Sequence, residues 1–194
     1  MDNVSGAAHT LSAMSAYSVR VFGDPALKQV AQQVDEVDGS LVRLVDDMVE
    51  TMYDSEGAGL AATQVGIGKR LFVYDVGDGP EAMVNPIIVE TGGEWYHDEG
   101  CLSIPGLRLG IVRPNQVHIR GYDLDGEEVS IEADEFLGRV FLHEVDHLDG
   151  VLMVERLDDD ARKLALRVLR DRSMGLDTAA MEAKLVSAGS EREV

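Results

Sequence analysis

His143-Glu144-Val145-Asp146-His147 holds two imidazoles four residues apart. On a helix that spacing puts both on one face, a turn apart, where they can reach a single cation. Glu144 is offset around the same helix, so its carboxylate can meet a water on that cation without being a ligand. The bland reading is an exposed, charged helix turn. Against it, Phe136, Val140, His143 and His147 follow one another at spacings of four, three and four, so an apolar stripe runs directly into the histidines and turns them inward.

A catalytic metal site keeps one coordination position open for water and so asks for a third protein ligand. Cys101, the chain's one cysteine, is the obvious candidate. Read alone, it is equally a small buried hydrophobe. Its neighbours Glu99-Gly100-Cys101-Leu102-Ser103 read as a glycine-containing loop element, and the glycine lets backbone groups approach whatever binds there. Strands separate this element from the histidines. That separation permits convergence without requiring it.

The elements that must position these residues come next. Val19 to Val37, with the turn Gly23-Asp24-Pro25, reads as an arm laid over a core. Leu41, Leu44, Val45, Met48 and Met52 follow helical spacing, with Ser40 as N-cap and an end before Gly57. The small residues of Gly57-Ala58-Gly59-Leu60-Ala61-Ala62-Thr63-Gln64 leave room for another backbone. Strands are expected at Leu71 to Asp75, Met83 to Glu90, Leu109 to Arg113, Gln116 to Tyr122 and Glu127 to Ala133, with Asp125-Gly126 turning the last hairpin. A second helix is expected over Glu135 to Leu148, closed by Asp149-Gly150, and a third over Asp158 to Ser173, its acids at the start and arginines at the end. Strands clustered between helices make this an α+β fold: a mostly antiparallel sheet packed around a central metal-binding helix, with an additional C-terminal helix. The organisation expected is a flexible tail over 1–18, a single catalytic domain over 19–175 and a C-terminal tail over 176–194.

Composition bounds the function. With 194 residues, 45% of them hydrophobic, one substantial core is the expectation. The 17 basic and 36 acidic residues give a formal charge of −19, which argues against direct contact with free nucleic acid or an anionic membrane surface. No apolar run reaches membrane-spanning length. A lone cysteine forms no internal disulfide and suits a reducing compartment, and the first residues resemble neither a secretory nor an organelle-targeting segment, so a cytoplasmic location is expected. Arg162, Lys163, Arg167, Arg170 and Arg172 on the third helix raise a transient ribosome contact, against the plainer reading of a solvated face.

Three segments in this order resemble the signature motifs of the peptide deformylases: Gly57 to Gln64, Glu99 to Ser103, and His143 to His147. The resemblance runs from about Val19 to Arg156. It implies a metal held by Cys101, His143 and His147, with Glu144 as general acid and base and with the Gln64 amide and Leu102 backbone N–H stabilising an oxyanion. The substrates it implies are N-formylmethionyl nascent peptides, which lose the formyl group as formate. It further implies Fe(II) in the cell, replaceable by zinc, nickel or cobalt, whereas the Cys/His/His donor set by itself reads first as zinc. Gly57, Ala58, Gly59, Glu99 and Gly100 are expected along the extended substrate, and Phe136 and Val140 as walls of a methionine cleft, their plainer reading being ordinary core. Arg113 and Asp146 are expected as a supporting ion pair.

Two positions depart from the family's pattern: Leu142 stands where glutamine is usual and Gly138 where alanine is usual. Ala58 is also smaller than the branched residue often found between the two glycines. A metalloendopeptidase shares the HExxH pattern, but it would use a downstream ligand, and no histidine follows His147. A noncatalytic relative acting as a binding module would not need Gln64, Cys101, Glu144 and both histidines together.

Overall fold

The structure, a computed structural model, describes residues 17–190. Helix α1 (Gly39–Asp54) buries Leu41, Leu44, Val45, Met48 and Met52. Its N-cap is Asp38 rather than the expected Ser40: the Asp38 carboxylate accepts hydrogen bonds from the N–H groups of Ser40 and Leu41 at 2.9 and 3.0 Å. An aspartate two residues earlier reaches the first orphan amides better than a serine already inside the turn.

Strands β1 (Gly59–Ala61), β2 (Leu71–Tyr74), β3 (Glu81–Gly92), β6 (Gln116–Tyr122) and β7 (Glu128–Asp134) form one antiparallel sheet in the order β1-β2-β3-β6-β7. Gly126, at φ +80°, turns β6 into β7, and Asp123 anchors the turn by accepting from Asp125 and Glu127 N–H. The other two strands, β4 (Trp95–Cys101) and β5 (Ile104–Arg113), pair only with each other. Strand β4 was not expected. The supposed loop around Cys101 is the end of that strand, with an irregularity between Gly100 and Cys101.

Helix α2 (Glu135–Leu148) lies against the large sheet, and Val140, Phe141, Val145 and Leu148 share a cluster with Phe72, Met83, Val117 and Ile119. The hairpin belongs to a different cluster. Leu107, Leu109 and Ile111, at the two-residue period of β5, pack with Leu152, Met153 and Val154 and with Ala165, Val168 and Leu169 of α3 (Asp159–Ser173). Gly138 lies where α2 crosses the sheet: a Cβ there would sit 3.3 Å from Val117 Cγ2 and 3.4 Å from two carbonyl oxygens, so the glycine lets the helix approach closely. Leu142 joins the apolar cluster under α2.

The C-terminal segment corrects an expectation. Instead of a tail over 176–194, the chain forms α4 (Ala179–Ser190), with Leu185 buried against the β5–α3 cluster. The expected tail over 1–18 falls mostly on residues 1–16, outside the described residues. The expected arm is present and ties the three motif segments together: Arg20 N–H donates to Gln64 O, Phe22 N–H to Ser103 O and Ala31 N–H to Leu148 O, at 2.7 to 2.8 Å.

Candidate metal centre

His143 and His147 face inward from α2, as their stripe predicts, and meet Cys101 at the end of β4. Among the described residues these three form a cluster whose ligand atoms lie within 4.8 Å of one another. Cys101 Sγ is 3.1 Å from His147 Nε2, which is 3.2 Å from His143 Nε2. His143 Nδ1–H donates to Glu99 Oε1 at 2.6 Å, which leaves its Nε2 lone pair free for a cation.

The electrostatics fit a cation at this point. Burial lowers the basicity of His143, but the Cys101 sulfur and Glu99 outweigh it and hold the ring well above the ordinary imidazole value. Burial and then the neighbouring His143 hold His147 well below that value. The cluster therefore accommodates one positive charge among its donors. A thiolate and two imidazoles offer it to a divalent transition metal, with room for a nonprotein fourth ligand.

Glu144 follows one residue after His143 and is 3% exposed. Burial, partly offset by His143, pushes its carboxyl up to about 7, near where a proton carrier works best at neutral pH. Its Oε2 is buried without a hydrogen-bond partner. Gly59 explains how Glu144 fits: a Cβ at that position would stand 2.5 Å from Glu144 Oε1. Gly57 plays the same part for Leu102, whose Cδ1 would be 2.7 Å from such a Cβ. At both glycines a side chain would collide with the protein's own, and both stand beside the donors. Gln64 is 1% exposed, its Oε1 accepts from Ala61 N–H at 2.8 Å, and its Nε2 lies 3.2 Å from Ser103 Oγ and 3.8 Å from Cys101 Sγ.

A cleft of about 660 Å³ opens beside the donors. Gly57, Ala58, Gly59, Gly100, Leu102, Phe136 and Val140 all line it. Val140 is buried, whereas Phe136 is 48% exposed and so stands at the rim rather than in a wall. Ile104 and Leu107 add apolar lining that the sequence did not single out. Glu99 also lines the cleft, with its carboxylate engaged inside the protein. It is 4% exposed and takes two bonds from Arg113 at 2.7 Å, one from Arg139 at 3.1 Å and the His143 bond. Burial would raise its pKa, but Arg113 and His143 hold it well below the usual carboxylate range. Arg113 also donates to Asp146 at 2.8 Å, the expected ion pair, and Asp146 accepts from Arg156 Nε at 2.9 Å. Sequence reading missed Arg139, though a signal was there: it sits four residues before His143 on a helix face that turns inward, where a guanidinium must find carboxylates.

A buried Cys/His/His donor set with an HExxH helix and an apolar cleft defines a metal-dependent hydrolase. The family model for polypeptide deformylase matches residues 16–163. A peptide deformylase of Clostridium botulinum is 49% identical over 143 residues, 74% of this chain and 97% of that one. One of Agathobacter rectalis is 51% identical over 145 residues, 75% of this chain and 92% of the relative. The crystal structure of peptide deformylase from Thermotoga maritima superposes with a TM-score of 0.72 at 44% identity, covering 73% of this chain and 97% of that one. That from Synechococcus elongatus, in complex with actinonin, gives 0.77 at 37% identity over 87% and 91%. The chain belongs to the polypeptide deformylase family, and the three motifs the resemblance rested on lie within the matched region.

Proposed function

We propose that the chain hydrolyses the formyl amide of N-formylmethionyl nascent peptides, with Cys101, His143 and His147 as metal ligands and Glu144 as the proton carrier. The observation that carries this reading is Glu144, buried beside three converged donor atoms with one carboxylate oxygen unpartnered. Cys101, His143 and His147 would hold a divalent cation, which would supply Lewis acidity at the site. Iron(II) is the proposed cellular metal, with zinc, nickel or cobalt as replacements.

Glu144 takes a proton from water as the formyl carbon is attacked and returns it to the leaving amine, so that formate and a free N-terminal methionine result. Gln64 is the proposed donor to the developing oxyanion, a role supported by the Ala61 bond to its Oε1, which turns the NH2 group toward the donor cluster. The Leu102 backbone N–H is proposed as the second donor. Ile104, Leu107 and Val140 supply an apolar lining for the methionine side chain, and Phe136 covers its rim.

No helix among the described residues is long and apolar enough to cross a membrane. The cytoplasm is the proposed location, where formylated nascent chains arise and a thiolate ligand stays reduced. A ribosome contact through α3 has less support, because Arg162, Lys163, Arg167, Arg170 and Arg172 each have an acidic partner within the chain.

The test is formate release from formyl-Met-Ala-Ser by protein prepared anaerobically with Fe(II). The parent is expected to turn over, and Glu144→Gln to keep its metal while losing about 10² to 10⁴-fold in rate. Equal turnover by the variant would remove Glu144 from the mechanism.

A further inference from the structure

Cys101 and the two histidines belong to different packing units. The hairpin carrying Cys101 buries its apolar face with α3 and α4, whereas α2 buries its own against the large sheet. Their junction beside the donor atoms is polar, and Arg139 spans it. Rising from α2, its Nη1 donates to Glu99 Oε2 at 3.1 Å and to the Ile111 carbonyl of β5 at 3.2 Å. Its Nη2 donates to the Trp95 carbonyl of β4 at 2.8 Å. The guanidinium carbon also lies 4.9 Å from the centre of the Trp95 ring, whose other neighbour is His97, stacked at 4.5 Å. Arg139 is 3% exposed, so these contacts are shielded from solvent.

We propose that Arg139 is a positioning residue for the metal: a staple that holds the Cys101 hairpin in register with the His143–His147 helix. It engages both hairpin strands at once. By taking Glu99 Oε2, it also fixes the carboxylate whose Oε1 orients His143. Metal ligands drawn from two independently packed units keep their spacing only if the units cannot slide, and supports of this kind typically govern metal affinity as strongly as a weak ligand does. The inference rests on Cys101, His143 and His147 forming one metal site.

Release of Co(II) tests it without any turnover. Co(II)-loaded protein is mixed with excess EDTA and the thiolate-to-cobalt absorption is followed. Arg139→Met is expected to release metal about 10- to 100-fold faster than the parent and to shift the ligand-field bands, because the donors no longer hold their spacing. Arg139→Lys is expected to fall between them, since an ammonium meets one acceptor but neither forks nor stacks. Leu185→Ala is the control: it weakens the same hairpin's apolar support from α4 and leaves both strands intact. A parent-like release rate and spectrum in Arg139→Met would overturn the staple, as would equal acceleration by Leu185→Ala. If Arg139→Met does not fold, Arg139→Lys decides by the same rates. A parent that takes up no Co(II) would instead defeat the metal-site reading beneath it.

Discussion

The two units that meet at the metal site are held by different physics. The unit carrying His143 and His147 is apolar in its support: Phe141 is fully buried among Phe72 and Tyr74, with an edge-on contact to Tyr74 at 5.0 Å between ring centres. The side of the hairpin that faces it is held by charge, through Glu99, Arg113, Arg139 and Asp146. Apolar packing tolerates small shifts because it has no preferred direction, whereas forked guanidinium–carboxylate bonds fix both distance and angle. The lesson is a division of labour: nondirectional burial assembles each unit, and directional polar contacts set the alignment of ligands between units.

The sharpest way to break that contrast is to remove the central cation. Arg113→Met removes the partner that Glu99 and Asp146 share, leaving Glu99 with Arg139 and His143 and Asp146 with Arg156. Removing one partner from a buried ion network costs about 3–5 kcal/mol, because the carboxylates it served are left under-compensated. Urea unfolding should show that loss with little change in slope. A loss below about 1 kcal/mol would mean that Arg139, His143 and Arg156 compensate the two carboxylates without it.

A second variant acts on the chemistry and spares the junction. In Gly59→Ala the new methyl group would stand 2.5 Å from Glu144 Oε1, so the carboxylate must move, while no ligand is touched. Displacement of a reacting group by an ångström can cost about 10²-fold in rate. Metal content should stay at the parent value while formate release falls by that factor. Loss of metal instead would show that Glu144 and the donors cannot move independently.

The same contrast decides what could be read from the sequence. The unit carrying the histidines was legible: α2 runs over Glu135–Leu148 and β6 over Gln116–Tyr122, as their periodicity predicts, and the histidines fall at the end of an apolar stripe. Strand β4 was not, because Trp95–Cys101 has no apolar alternation; its inward position is Glu99, satisfied by Arg113, Arg139 and His143. Those partners lie 14, 40 and 44 residues away in sequence, beyond any local pattern. The ligand role of Cys101 rested on motif resemblance for the same reason. Helix α4 was missed because, among the described residues, its burial centres on Leu185 with Met181 partly buried beside it, and an ion pair ties it to α3.

That ion pair gives the smallest and most local test. Glu182 accepts from Arg172 at 2.8 Å and also bonds Thr178, and Arg172 in turn donates to the carbonyls of Pro105 and Gly106 at 3.0 and 3.1 Å, so α3, α4 and the start of β5 share one contact. The Arg172 bond, followed by the Thr178 bond, holds the Glu182 carboxyl below its ordinary value of 4.5. A carboxylate with a depressed folded pKa stabilises fully above its unfolded pKa and loses that contribution as pH falls through the folded one. Amide exchange over 179–186, corrected for intrinsic rate, should therefore accelerate as pH drops below about 4.5. Glu182→Gln should exchange slightly faster at neutral pH, by an amount worth under about 1 kcal/mol, and lose most of that pH dependence. If the variant keeps the full acid response, the response belongs to carboxylates elsewhere.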